Sequence, residues 1–254
     1  MSSMKNTTSL KTKLYSGKTV IGTWCALPSP EFINVLAKAG MDFVIIDMEH
    51  GAMDYELAGK MVIAAEVEGC SPLIRVPMNN ESTILRALEV APEGIIVPHV
   101  DSAKERKNVI NAVKFPPIGN RSLNPFVRAG GYHSRLNFTE EENKRTLSGI
   151  LVESLAAIKN IESIVDDENL DIVYMGSYDI SAALGCPGDT RNPKVLATLR
   201  KLAKVITKKK KIAGCLFHTK EDLEFFKEIG ATFLCYKVDT GIVFDAVQKG
   251  LKLL

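Results

Sequence analysis

Three acidic positions stand directly behind apolar runs. Glu153 follows Gly149-Ile150-Leu151-Val152, Asp179 comes after Gly176-Ser177-Tyr178 at the end of an apolar stretch, and Asp47-Met48-Glu49 follows Phe43-Val44-Ile45-Ile46. A carboxylate flush against a buried strand is costly unless it is paired or ligating. Glu153 and Asp179 together suit a hard divalent cation, Mg²⁺, Mn²⁺ or Co²⁺, because such ions take oxygen ligands. Two carboxylates plus waters would leave positions open for a bidentate 2-oxo acid. For Asp179, capping the helical run that follows it is the competing reading. His50 closes the third cluster, with acids before it and Gly51 behind, and such a histidine is a candidate general base near neutral pH. Arg75, at the end of Pro72-Leu73-Ile74, needs an anion; a bound carboxylate and a structural ion pair are the two readings. The other histidines, His99, His133 and His218, have ordinary structural readings.

These residues need elements that bring them together. Eight short apolar runs read as strands: Val20–Trp24, Phe43–Asp47, Pro72–Val76, Gly94–Pro98, Gly149–Glu153, Ile172–Gly176, Ile212–Leu216 and Thr232–Tyr236. Segments of helical period alternate with them, such as Tyr55–Glu68, Ser82–Glu89 and Pro193–Lys208, the last with Asn192 as N-cap and Pro193 at its first position. Eight βα units predict an α/β fold, a closed (β/α)8 TIM barrel whose strand C-termini converge on one mouth. The 254 residues fit one such domain, since about 250 is typical. Residues 1–13 read as a flexible arm or a first helix. Residues 115–148 read as a long loop on the active-site side, carrying Arg121 and Arg128.

Composition narrows the class. Net charge is +2, which argues against a nucleic-acid binder resting on phosphate neutralisation. The run Lys208–Lys211 reads as the solvated C-terminal end of a helix. Five cysteines, none in a C-x-x-C pair, read as buried reduced thiols of a cytoplasmic protein. No apolar stretch is long enough to span a membrane, and Met1–Asn6 is polar with no signal core. No P-loop, G-x-G-x-x-G or G-x-S-x-G is present, so nucleotide binding and serine hydrolysis have no support.

As a set, several segments resemble the HpcH/HpaI aldolase/citrate lyase family, the metal-dependent pyruvate aldolases. They are Gly22-Thr23-Trp24, Gly40 through Gly51, Arg75-Val76-Pro77, Gly94 through Pro98, Pro116 through Arg121, Arg128-Ala129, Val152-Glu153, Gly176 through Ser181, and Val238-Asp239. The resemblance implies a barrel of the phosphoenolpyruvate/pyruvate-binding type, with Glu153 and Asp179 on the metal. It implies that Arg75 stabilises an enolate oxygen and that His50 moves the proton, oriented by Glu89, where the family usually has Asp. Gly176, Ser177 and Arg121 are implied around the 2-oxo acid substrate. The implied reaction cleaves a 4-hydroxy-2-oxo acid to pyruvate and an aldehyde. A condensing enzyme, citrate-synthase-like or acyl-CoA lyase-like, and a non-catalytic barrel are the alternatives. A homo-trimer or homo-hexamer is implied, and the apolar tail Ile242-Val243-Phe244, Val247, Leu251, Leu253, Leu254 is compatible with it. The chain departs from the family pattern at Ser122, at Ser177-Tyr178 and at Ala91-Pro92.

Overall fold

The computed structural model describes residues 8–253. Eight parallel strands close a barrel in sequence order, each bonded to the next and the last to the first. They are β1 (Val20–Cys25), β2 (Phe43–Asp47), β3 (Ser71–Arg75), β4 (Gly94–Val97), β5 (Leu147–Val152), β6 (Ile172–Met175), β7 (Ile212–Phe217) and β8 (Phe233–Val238). Every strand read from the sequence is present within two or three residues. Strands buried on both faces read as continuous apolar runs, which is why their signal is strong.

Side-chain alternation sorts each strand into two layers. Phe43 and Ile45, Leu73, Ile96, Leu147 and Leu151, Ile172 and Tyr174, and Phe233 and Cys235 fill the barrel interior. Val44, Ile46, Ile74, Ile95, Val97, Ile150, Val152 and Val173 face the helices instead. The same parity, carried to the strand ends, turns Asp47, Arg75 and Glu153 inward. Where strands approach closely no side chain fits: a Cβ on Gly94 would lie 2.5 Å from Leu147 Cβ and 2.7 Å from its carbonyl oxygen. Gly94→Ala is therefore expected to destabilise the barrel by about 1–3 kcal/mol, read as a lower midpoint in chemical denaturation.

The helices begin on polar caps. In α2 (Pro30–Lys38), α3 (Tyr55–Val67), α4 (Glu81–Glu89), α5 (Ala103–Val113) and α7 (Leu155–Ile164), the caps Ser29, Asp54, Asn80, Ser102 and Ser154 each accept an amide of the first turn. In α9 (Pro193–Lys208), Asn192 caps and Pro193 opens the helix as read from the sequence. The lysine run ends that helix, with Lys209 paired to Asp166 at 2.6 Å. In α10 (Lys220–Glu228), Thr219 and Asp222 form a reciprocal capping box. The last helix, α11 (Asp239–Leu251), starts on a fully buried carboxylate: Asp239 accepts the amides of Ala26 (3.0 Å), Leu27 (2.9 Å) and Thr240 (2.7 Å). No helix among the described residues is long and apolar enough to cross a membrane.

One expectation is resolved and one changes. Residues 1–7 and 254 lie outside the described residues, and from Leu10 the first-helix reading holds, as α1 (Leu10–Tyr15). Leu10 and Leu14 join the barrel-interior cluster, and Tyr15 and Lys11 hold Asp171, just before β6, at 2.7 and 3.1 Å. The segment 115–148 is not on the active-site side. It leaves the C-terminus of α5 and enters the N-terminus of β5, so it lies at the end of the barrel opposite the strand C-termini. Its side chains hold that end: Arg145 donates to Pro92 O and Arg128 to Val90 O, both at 3.1 Å. It also contains a 3-10 turn (Arg128–Gly130) and α6 (Phe138–Arg145). The α6 segment is too polar to show a helical stripe, though its acids lead and its bases trail as a helix dipole favours.

Candidate active site

At the strand C-termini the inward residues meet. The Arg75 guanidinium forks onto Asp47, with Nε to Oδ1 at 2.8 Å and Nη2 to Oδ2, and its Nη1 lies 2.9 Å from Glu49 Oε2. Beneath it, the guanidinium stacks on Trp24 at 4.5 Å, and the Trp24 indole donates to the Tyr174 hydroxyl at 2.8 Å. Burial works against the Arg75 charge, but Asp47 and then Glu49 outweigh it and raise the guanidinium above its ordinary value. The structural ion-pair reading of Arg75 holds, and that pair sits at the mouth.

Glu153 is buried, and its Oε1 accepts the His99 amide at 2.9 Å. The His99 ring bridges two acids, with Nδ1 at 2.9 Å from Glu153 Oε1 and Nε2 at 3.0 Å from Glu49 Oε1. His99 adopts a left-handed backbone (φ 55°), which aims its amide and ring at the same carboxylate. Burial raises the Glu153 pKa, the amide and ring of His99 pull it back, and Asp179 and Glu49 push it up again.

Asp179 lies in the first turn of α8 (Ser177–Ala183), whose N-cap is Gly176 without a side-chain cap bond. The N-cap reading of Asp179 is therefore set aside, and its carboxylate is exposed at the mouth near Glu153. Gly176 lets the two approach: a Cβ there would sit 3.1 Å from Glu153 Cβ and 3.5 Å from Oε2. Among the described residues no three His, Cys, Asp or Glu side chains close on one point as a metal site. The donor set is a carboxylate pair with Glu49 beside it, whose buried Oε2 has no hydrogen-bond partner of good geometry. Clustered acids of this kind fit a hard cation, which would offset the burial and the acidic neighbours that raise Glu153.

His50 follows the β2 end and is exposed; its amide and that of Glu49 donate to Asp47 Oδ1 at 3.2 and 3.0 Å. The carboxylate touching His50 is therefore Asp47. Glu89, expected to orient it, ends α4 at the opposite end of the barrel, 3.9 Å from Arg121. Arg121, expected near the substrate, is buried there too, stacked on Phe115 at 4.6 Å and 3.9 Å from Glu142. This chain's fold brings Glu49, His50, Arg75, Glu153, Gly176, Ser177 and Asp179 to one mouth and leaves Glu89 and Arg121 away from it. Sequence reasoning undervalues Glu49 and His99. All that the sequence offers for His99 is its place directly after Val97-Pro98, at a strand end.

A profile described as HpcH/HpaI aldolase/citrate lyase matches residues 20–246. The chain belongs to that family. A curated relative, the 5-keto-4-deoxy-D-glucarate aldolase of Klebsiella pneumoniae subsp. pneumoniae, is 29% identical over 239 residues, 94% of this chain and 93% of that one. Among solved structures, an HpcH/HpaI aldolase from Desulfitobacterium hafniense DCB-2 superposes with a TM-score of 0.91 at 28% identity, covering 97% and 96% of the two chains. The citrate synthase SbnG superposes with a TM-score of 0.89 at 29% identity, covering 96% of each chain. This HpcH/HpaI chain is an enzyme, a carbon–carbon lyase of the aldolase type.

Proposed function

We propose that the protein cleaves a 4-hydroxy-2-oxo acid to pyruvate and an aldehyde, using Mg²⁺, Mn²⁺ or Co²⁺ held by Glu153 and Asp179. The observation that carries this reading is the meeting of that carboxylate pair with Arg75 and His50 at one barrel mouth. The bound cation supplies charge stabilisation for the 2-oxo acid oxygens. Arg75, fixed by Asp47 and by the Trp24 face, presents its guanidinium where negative charge develops on the enolate oxygen. The C4 hydroxyl gives up its proton towards His50, the C3–C4 bond breaks, and its electron pair passes into the C2–C3 bond. Protonation at C3 then completes pyruvate. The Gly176–Ser177 turn lies against the 2-oxo acid. Glu89 and Arg121 have no part in this chain's mouth.

The likeness to a citrate synthase supports a second reading, in which the same mouth joins a 2-oxo acid to another acceptor. The aldolase names of the curated relatives favour cleavage. We also read the exposed apolar residues of α11 (Val243, Phe244, Val247 and Leu251) as a contact between copies in a homo-trimer or homo-hexamer of a cytoplasmic enzyme. The deciding experiment measures pyruvate release from a panel of 4-hydroxy-2-oxo acids with Mn²⁺ or Mg²⁺, then with EDTA. Release that EDTA abolishes is the expected result. Silence across the panel, together with citrate formed from oxaloacetate and acetyl-CoA, would replace cleavage with condensation.

A further inference from the structure

A cleft leaves the barrel mouth beside Ser177 and runs outward between the first turns of α9 and α10. The space it encloses is small, about 60 Å³, and it opens to solvent on its outer side. Its inner end is part of the mouth: Ser177 follows Gly176, and Leu216 on β7 packs against the barrel-interior cluster. His218, two residues beyond Leu216, lines the cleft and receives Tyr178 Oη at 3.0 Å from its Nε2. Of that pair, His218 is the member that lines the cleft. The floor is apolar, with Phe225 on it.

The charges in the cleft cancel. Asp222 Oδ2 accepts the amides of His218 and Thr219, each at 3.1 Å, so this carboxylate is held by backbone. Its Oδ1 pairs with Arg191 Nη1 at 3.2 Å. An anionic guest would meet the Asp222 carboxylate beside an Arg191 that this carboxylate already neutralises. A neutral hydroxyl avoids that repulsion, because it donates to Asp222 and accepts from Arg191 while the pair stays intact. A vicinal diol bridges both partners at once, and the C–H face of the same chain lies on the aromatic floor.

We propose that this cleft is the subsite for the aldehyde half of the substrate and that it selects a short, uncharged, polyhydroxylated chain. The inference rests on the aldolase reading. It makes Arg191 and Asp222 specificity-determining residues, with His218 lining the same cleft.

The test runs the reaction in the joining direction, with pyruvate, Mn²⁺ and three aldehydes: acetaldehyde, a neutral four-carbon polyhydroxy aldehyde, and a carboxylated aldehyde of the same length. The neutral polyhydroxy aldehyde is expected to have the highest kcat/KM, about tenfold or more above acetaldehyde, the discrimination that matched hydroxyl contacts supply. Arg191→Ala and Asp222→Asn should reduce that ratio at least about tenfold, chiefly through KM of the polyhydroxy aldehyde. Asp222→Asn keeps an acceptor for the cap amides, so folding is preserved. Equal losses on all three aldehydes, unchanged ratios, or a preference for the carboxylated aldehyde would overturn the subsite. Absence of product from every aldehyde, with metal and without it, would instead remove the aldolase reading and this inference with it.

Discussion

Replacing Glu153 or Asp179 by alanine should lower turnover by at least about 10³-fold, because several kcal/mol of charge stabilisation are lost and each 1.36 kcal/mol is tenfold. The fold should survive. Burial and the neighbouring acids Asp179 and Glu49 raise the Glu153 pKa, so its ionised form is disfavoured in the folded chain. A group with a raised carboxyl pKa holds its proton more tightly when folded, so at neutral pH its charge works against stability. Glu153→Gln is accordingly expected to leave the thermal midpoint unchanged or higher in the absence of metal. Mn²⁺ is expected to raise the midpoint of the parent protein and to leave that of Glu153→Ala and Asp179→Ala unchanged. Differential scanning fluorimetry with and without Mn²⁺, beside steady-state kinetics, separates the two effects. An alanine variant at either position that retained full turnover would sink the metal assignment.

The second large effect belongs to Arg75. Its guanidinium is forked onto Asp47, lies against Glu49 and rests on the Trp24 ring, so it is fixed before any substrate arrives. Lysine keeps the charge but cannot fork or stack in the same way. Arg75→Lys should lower kcat by about 10²–10³-fold, the range found when one preorganised donor to a developing oxyanion is removed. Arg75→Met should add a stability loss of about 3–5 kcal/mol, because Asp47 and Glu49 are left with uncompensated charge. Denaturant titration of both variants distinguishes these outcomes. A lysine variant with kcat near that of the parent would place Arg75 in structure alone.

Much of this arrangement is legible in the order of residues alone. A fully buried strand writes itself as a continuous apolar run, and a charged residue at its end is conspicuous; Glu153, Arg75 and Asp47 are visible for that reason. The side on which residues 115–148 lie depends on whether the segment follows a strand or a helix. The helix Ala103–Val113 before it carries the answer, since a segment from helix to strand returns to the barrel's other end. What His99 does is not legible. Its partners Glu49 and Glu153 are far away in sequence and meet it through a left-handed turn that a histidine does not announce. Glu89 and Arg121 enter by resemblance alone, and no local pattern in the chain places them at the mouth.

The anchoring of Asp239 gives the end of the chain a part in the front of the molecule. The first residue of the last helix holds the amides of Ala26 and Leu27, the turn that leaves β1 just past Trp24. Trp24 in turn supports the guanidinium of Arg75. A break in α11 would therefore loosen the turn after β1 and blunt the anion-facing group two strands away. A carboxyl-terminal deletion would show itself first as a poorer catalyst and only later as a less stable protein.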